Sequence, residues 1–321
     1  MPRSFTLSLG LATLVLVAAC SASTGASSSA STAASAAATV APSVAASAAP
    51  SVAPSASAAL TDCATNAVVT PGKFTIGTDN PAYPPYFAEP AASAKPTKPW
   101  QIGDPTNGNG FEAAVGYAIA SKLGFTKDEV AWIVVPFANS FAPGPKTFDI
   151  DLNQVNYKTE RTQTADLSKG YYFGNQSVVT LKDSPFAKAT TIADLKGAQW
   201  GAQVGTTSLD AINTLIAPTK KALVYDTNDL AVKALGQKTI DAIMVDLPTA
   251  DYITNVQVQN AKIVGQFQGA TPEYFSAVLQ KGSKLTDCVN QAIDALTADG
   301  TLANLVKQWL PFQAAVPVIK P

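Results

Sequence analysis

The sequence predicts an α/β protein built as two lobes with a cleft between them, and three observations predict it. From residue 73 onward, strand-like and helix-like stretches alternate, the pattern of a sheet with crossover helices packed on it. After residue 175 a second, shorter alternating set begins, self-consistent on its own. Finally, Cys63 and Cys288 stand near the two ends of the globular region. In an exported chain two such cysteines are expected to pair, which would place the first and last segments in the same packed unit. The predicted organisation is a discontinuous large lobe, residues 63–176 and 271–321, interrupted by a continuous small lobe, residues 177–270. The chain would cross between them twice, near residues 174–180 and 265–276. At 321 residues and 47% apolar, the chain has ample material for such cores.

Ahead of the globular region the sequence changes character twice. Residues 1–19 read as an export signal: Arg3 supplies a positive start, "LGLATLVLVAA" an apolar stretch too short to span a bilayer, and small residues precede Cys20. The ending "VAAC" resembles the lipobox of bacterial lipoproteins, in which the cysteine becomes the lipidated first residue. Residues 20–62 read as a tether, because positions 21 to 60 hold only Ser, Ala, Thr, Pro, Val, Gly and a final Leu. Such a segment buries too little surface to offset its ordering entropy, and as a flexible chain it reaches roughly 35 Å. The expectation is an exported protein held by lipid to the outer face of the cytoplasmic membrane.

Within the globular region, "KFTIGTD" is β-rich and ends in a turn. In "GFEAAVGYAIASKLGF", Phe111, Val115, Ala118, Ile119 and Leu123 share one helical stripe that stops at Gly124. Strands are expected at "VAWIVVPF" and "TFDIDLNQV". The second set reads strand "NQSVVTLK", short helix "TIADLKG", strand "AQWGAQV", helix "TTSLDAINTLI", strand "ALVYD", helix "NDLAVKALGQK" and strand "IDAIMVD". Last come a strand at "YFSAVLQKGS" and two helices divided at "ADGT".

Composition narrows the function. A net charge of −1, with 14% charged residues and no Lys/Arg-rich run, gives no footprint for nucleic acid or for an anionic membrane surface. Histidine is absent, which removes the usual general base and a common metal ligand. No metal and no cofactor is called for.

Ligands of α/β proteins sit in clefts and at the carboxyl ends of strands, and three such ends carry conspicuous groups. "TIGTDNPAYPPYF" places Asp79 after a strand, followed by Tyr83, Tyr86 and Phe87 in a loop stiffened by prolines. "VGTTSLDAI" opens a helix with Thr206 and Thr207, where free N–H groups attract an anion. "IDAIMVDLPTA" ends a strand in Asp246. Each has a structural alternative, a packed loop or a helix cap. With Arg161 they match one small ligand, an amino acid: a carboxylate on the guanidinium fork and helix amides, an ammonium on Asp246 and Asp79, and a side chain against aromatic faces. Arg161 is one of only two arginines, the other being Arg3 in the expected leader, so twenty lysines supply the remaining positive charge. A planar fork that keeps its proton on burial is what distinguishes arginine from lysine here.

The ordered series "KFTIGTDNPAYPPYF", "GFEAAVGYAIASKLGF", "FDIDLNQVNYKTERTQTADLSKGYYF", "LKGAQWGAQVGTTS", "IDAIMVDLPTA" and "AIDALTADGTLANLVKQWL" resembles the family 3 extracellular solute-binding proteins, the polar amino-acid receptors of ABC importers. The resemblance covers nearly all of residues 70 to 312. It implies a two-lobed periplasmic-binding-protein fold of type II, hinged at the crossings, that closes over its ligand and docks on an ABC permease. By position it implies Arg161 for the carboxylate, Thr206 and Thr207 at the helix start, Asp246 with Asp79 for the ammonium, and Gln154 and Asn156 beside the arginine. The covering aromatic is left open among Tyr83, Tyr86 and Phe87.

The sequence departs from the family pattern in four places. The segment between the aromatic loop and the first helix, residues 88–109, is longer than usual and carries Trp100. Asn156 stands where serine is common and Leu167 where phenylalanine is usual. The stretch "VPFANSFAPGPK" places Phe137 and Asn139 near the expected side-chain pocket. A monomeric, non-enzymatic receptor is expected. The alternatives are a cyclohexadienyl dehydratase-like enzyme on the same fold, whose free cleft carboxylates would be Asp79 and Glu112, and a binding protein that docks on a membrane sensor.

Overall fold

The structure, a computed structural model, describes residues 60, 62, 64–91, 94–267, 273–311 and 316–321. The expected leader, Cys20, nearly all of the tether and Cys63 lie outside the described residues.

Strand β1 (Phe74–Thr78) is buried along its whole length, and Gly124 at φ 90° closes the helix that follows, α1 (Phe111–Lys122). The expected stripe of α1 is the face that packs: Phe111, Val115, Ile119 and Leu123 are buried, and Ala118 is half-buried. Strand β2 (Val130–Val134) is shorter than expected, since Pro136 leads into a helical turn, α2 (Phe137–Ser140). Of "TFDIDLNQV" only β3 (Ile150–Asp151) is strand. Just before it, the Asp149 carboxylate accepts from the backbone N–H of Val69 and of Thr75, both at 2.6 Å, pinning the start of the domain to the first sheet. A 3-10 turn, Thr159–Gln163, then precedes the long strand β4 (Ala165–Gly174), whose charged residues hid its alternation from the sequence.

The second set follows as expected, with β5 (Gln176–Leu181), α3 (Ile192–Leu195), β6 (Trp200–Gln203), α4 (Thr207–Ala211), β7 (Leu223–Tyr225), α5 (Asn228–Gly236) and β8 (Ala242–Asp246). Helix α4 runs on as a π-helical turn through Ile216. Beyond the expected elements of this set come α6 (Leu247–Tyr252), which opens at Asp246, and β9 (Ala261–Gln266), which was not anticipated. Strand β10 (Glu273–Gln280) and helices α7 (Thr286–Ala298) and α8 (Thr301–Trp309) follow, and α8 opens at Gly300 as expected.

Among the described residues the strands form two five-stranded sheets. The first has the order β2-β1-β3-β10-β4, with β10 antiparallel to both neighbours. The second has the order β7-β6-β8-β5-β9, with β5 antiparallel to both neighbours. The chain leaves the first sheet at Asn175, between β4 and β5, and re-enters it at β10, so the first sheet is assembled from both ends of the fold. One core lies against the first sheet, where α1 and α7 bury Phe111, Ile119, Val289 and Ile293 with Phe74, Ile76 and Phe275. The second sheet is covered on both faces, because successive residues of β5 alternate between two clusters, Val178 in one and Val179 in the other.

The last residues correct the expected lobe boundaries. The sequence assigned 271–321 to the large lobe, yet Val318 bridges Gln266 and Lys320 bridges Thr191, and Ile319 is buried in the second sheet's core. Apolar burial decides this, since Gly265 leaves the room that Ile319 fills. The long segment 88–109 folds onto the aromatic loop: Gly103 donates to Ala82 O, Ala88 to Asn109 O, and Asp104 accepts from Thr97 and Thr106. Trp100 is buried in the first core, and it packs instead of reaching the cleft.

Candidate functional site

A cavity lies between the carboxyl ends of the two sheets, lined from the first by residues around β1, α2 and the 153–161 segment and from the second by α4, α5, β8 and α6. All eleven sequence candidates line it: Asp79, Tyr83, Tyr86, Phe87, Phe137, Gln154, Asn156, Arg161, Thr206, Thr207 and Asp246. Asn139 does not; it is exposed on α2.

Arg161 sits in the 3-10 turn between the sheets and is 5% exposed. Its guanidinium donates to the carbonyl of Asn156 and, across the cleft, to that of Gly205 at 2.8 Å. Its cationic carbon lies 4.4 Å from the centroid of Phe141 and 5.6 Å from that of Phe137, so aromatic faces flank the charge. Burial lowers the guanidinium to about 10, with Asp210, Asp246 and Glu273 acting in the opposite direction. It therefore stays protonated at neutral pH, and among the described residues it forms no ion pair.

Asp246 ends β8 and opens α6 without capping it by its side chain. Its Oδ1 accepts from Asn156 Nδ2 at 3.0 Å and from Gln176 Nε2 at 2.9 Å. Burial, with Glu273 adding, pushes this carboxyl up to about 7. Asn156 is fixed by a bridge to Phe275 of β10, so it faces both Asp246 and the Thr207 hydroxyl, 3.1 Å away. Thr206 behaves as a cap: its hydroxyl accepts from Leu209 N at 3.1 Å and donates to Gln203 O at 2.8 Å.

Other candidates are more structural than the sequence suggested. Tyr86 and Phe87 are buried in the first core, and only the Tyr86 hydroxyl crosses the cleft, 3.1 Å from that of Thr249. Tyr83 is the open one of the three, half-buried with its ring 5.6 Å from that of Tyr252. Gln154 adopts φ 49°, a left-handed conformation that aims its backbone N–H and its side-chain amide at Glu112. Glu112 also accepts from Tyr171 at 2.5 Å, and burial pushes it up to about 7. It lies behind the cavity wall, not in it.

A family model for bacterial extracellular solute-binding proteins, family 3, matches residues 91–312, a span that holds Arg161, Asp246 and the helix start at Thr206. The chain belongs to that family. Among relatives of this family 3 protein, a probable histidine-binding protein of Campylobacter jejuni is 28% identical over 219 residues, covering 66% of this chain and 80% of the relative. The arginine-, lysine-, histidine-binding protein ArtJ of Geobacillus stearothermophilus superposes with a TM-score of 0.59 at 21% identity, over 76% of this chain and 97% of its own. AncCDT-1, an ancestral amino acid-binding protein and precursor of cyclohexadienyl dehydratase, superposes at 0.57 with 24% identity, over 74% and 95%. The fold of this family 3 protein is the expected two-lobed, type II periplasmic-binding-protein fold.

Sequence reasoning missed three polar groups that organise the site of this family 3 protein. Gln176 donates to both Asp246 and Glu273, each at 2.9 Å, and accepts from Ser208 at 2.6 Å. Glu273 also accepts from the Thr207 hydroxyl at 2.9 Å. Asp229, in the first turn of α5, lines the cavity and accepts from the Tyr83 hydroxyl at 2.7 Å. The only sequence signal for the first two was their place beside the expected crossings.

Proposed function

We propose that this family 3 protein is the extracellular receptor of an ABC importer, and that it closes its lobes over the carboxylate and ammonium of an amino acid. One observation carries the reading: a buried, protonated guanidinium on one side of the cleft faces a half-buried carboxylate on the other, and neither forms an ion pair among the described residues. A zwitterion supplies both counter-charges at the right ends. Each charge-assisted bond contributes about 1.5–3 kcal/mol, so a few of them account for much of the roughly 8 kcal/mol of a micromolar complex. Relatives named for histidine, lysine and arginine binding support the same class of ligand.

In this proposal Arg161 takes the carboxylate, Asp246 takes the ammonium, Asn156 and Thr207 position both, and Tyr83 covers the ligand. The chain performs no catalytic step. The proposal also includes a lipid anchor on Cys20, a monomeric state, docking on a permease, and a Cys63–Cys288 bridge, which the burial of Cys288 in the first core supports.

A thermal-shift screen of the full chain against the amino acids tests the central claim. At least one should raise the melting temperature, and Arg161→Lys should lose most of that shift, since lysine lacks the planar fork. An unchanged shift in the variant overturns the assignment. Turnover of prephenate or arogenate would overturn the receptor reading in favour of an enzyme.

A further inference from the structure

The groups lining the cavity also bear on the end of the ligand that the amino-acid clamp leaves undefined, an inference that rests on the amino-acid reading of the site. The charged side chains facing the cavity are Arg161 against Asp79, Asp229 and Asp246. Not one of the chain's twenty lysines lines it. A bound amino acid offsets Arg161 with its carboxylate and Asp246 with its ammonium, which leaves two carboxylates over.

Those two come from different lobes. Asp79 follows β1, with its carboxylate accepting from Asn80 N at 2.7 Å, and Asp229 lies in the first turn of α5. They are near enough for Asp229 to add to burial in raising the Asp79 carboxyl above its ordinary range. The rings of Tyr83 and Tyr252 stand beside them, Tyr83 as the hydrogen-bond donor to Asp229. Next to Asp79, Thr78 is 1% exposed, its hydroxyl has no hydrogen-bond partner among the described residues, and it lines the same cavity. A buried hydroxyl of this kind is unfavourable until something in the cavity satisfies it.

We propose that the ligand carries a cationic side chain, seated between Asp79 of the first lobe and Asp229 of the second beside the faces of Tyr83 and Tyr252. Closing the lobes on a neutral side chain brings two carboxylates together out of water, and an acidic one adds a third. A cation between them turns that repulsion into an attraction that closure strengthens, and aromatic faces add to it. Asp229 is thus a specificity-determining residue, because it belongs to the lobe that arrives on closure.

Calorimetric titration of the full chain near neutral pH with L-lysine, L-arginine, L-glutamine and L-glutamate tests this. Lysine or arginine should bind at least about tenfold more tightly than glutamine and glutamate. Equal or tighter binding of glutamine or glutamate, or binding of only some other uncharged amino acid, overturns the inference and leaves the amino-acid reading standing. Failure of every amino acid overturns that reading and this one with it. In Asp229→Asn, with a ligand-free melt to verify folding, the preference for lysine over glutamine should fall at least about tenfold. An unchanged preference overturns the role of Asp229. Should the variant not fold, the panel on the unaltered chain decides.

Discussion

Burial lowers the Arg161 guanidinium only to about 10, whereas burial of Asp246 lifts its carboxyl to about 7. One group of the clamp is therefore charged throughout the neutral range, and the other is not. An ammonium on Asp246 favours the ionised carboxylate, so binding below about pH 7 expels the proton that the ligand-free carboxyl holds. Affinity should rise with pH through about 7 and then level, with close to one proton released at about pH 6 and almost none above about pH 8. Calorimetry in two buffers of different ionisation heat measures that release, and none at the lower pH would show that Asp246 does not take the ammonium. At this scale the sequence was informative for Arg161, whose rarity among twenty lysines set it apart. It was uninformative for Asp229, an ordinary acidic residue in a first helical turn, where such residues need no function.

Among the elements, the two strands that begin just after the crossings matter most. β5 opens with Gln176 and β10 with Glu273, and the Gln176 amide joins both to Asp246 and Ser208. The network ties the start of each crossing strand to the small-lobe end of the ligand clamp. Gln176 is 4% exposed, so Gln176→Leu would leave two carboxylates and a hydroxyl short of partners. We expect it to destabilise the fold by about 1–3 kcal/mol, read by chemical denaturation, and to weaken ligand binding as well. Stability and affinity both unchanged would show that the amide is incidental. Periodicity predicted most elements, but it failed at β4, where Asp166 and Lys169 interrupt the apolar alternation, and at β9, a short strand with Lys262 and Gly265 inside it. Both strands form because a neighbour is there to pair with them.

For the whole molecule, the lobes already touch across the cleft. Tyr83 reaches Asp229, Tyr86 reaches Thr249, Lys158 pairs with Asp210, and Asn156 reaches Thr207 and Asp246. Several of these are the proposed ligand contacts, so a ligand that binds both lobes exchanges lobe–lobe bonds for ligand–lobe bonds and shifts the population toward the closed form. Small-angle X-ray scattering should show a smaller radius of gyration when the cognate amino acid is added, and no change in Asp246→Ala at the same concentration. Contraction in the variant equal to that of the unaltered chain would mean that closure does not depend on the small-lobe contact.

Residue types and their order were enough to determine a two-set α/β organisation and the handful of groups at strand ends, because periodicity, turn chemistry and helix starts are local and written in consecutive residues; the family was legible only through the resemblance of the ordered segments. What only the tertiary structure decided is which of those groups face one another. Tyr86 and Phe87 went to the core, Tyr83 to the cleft, residues 317–320 to the second sheet, and Gln176, Glu273 and Asp229 to the site. Each of these depends on contacts between residues far apart in the chain, where competition for buried volume and hydrogen-bond partners, not local pattern, chooses the outcome.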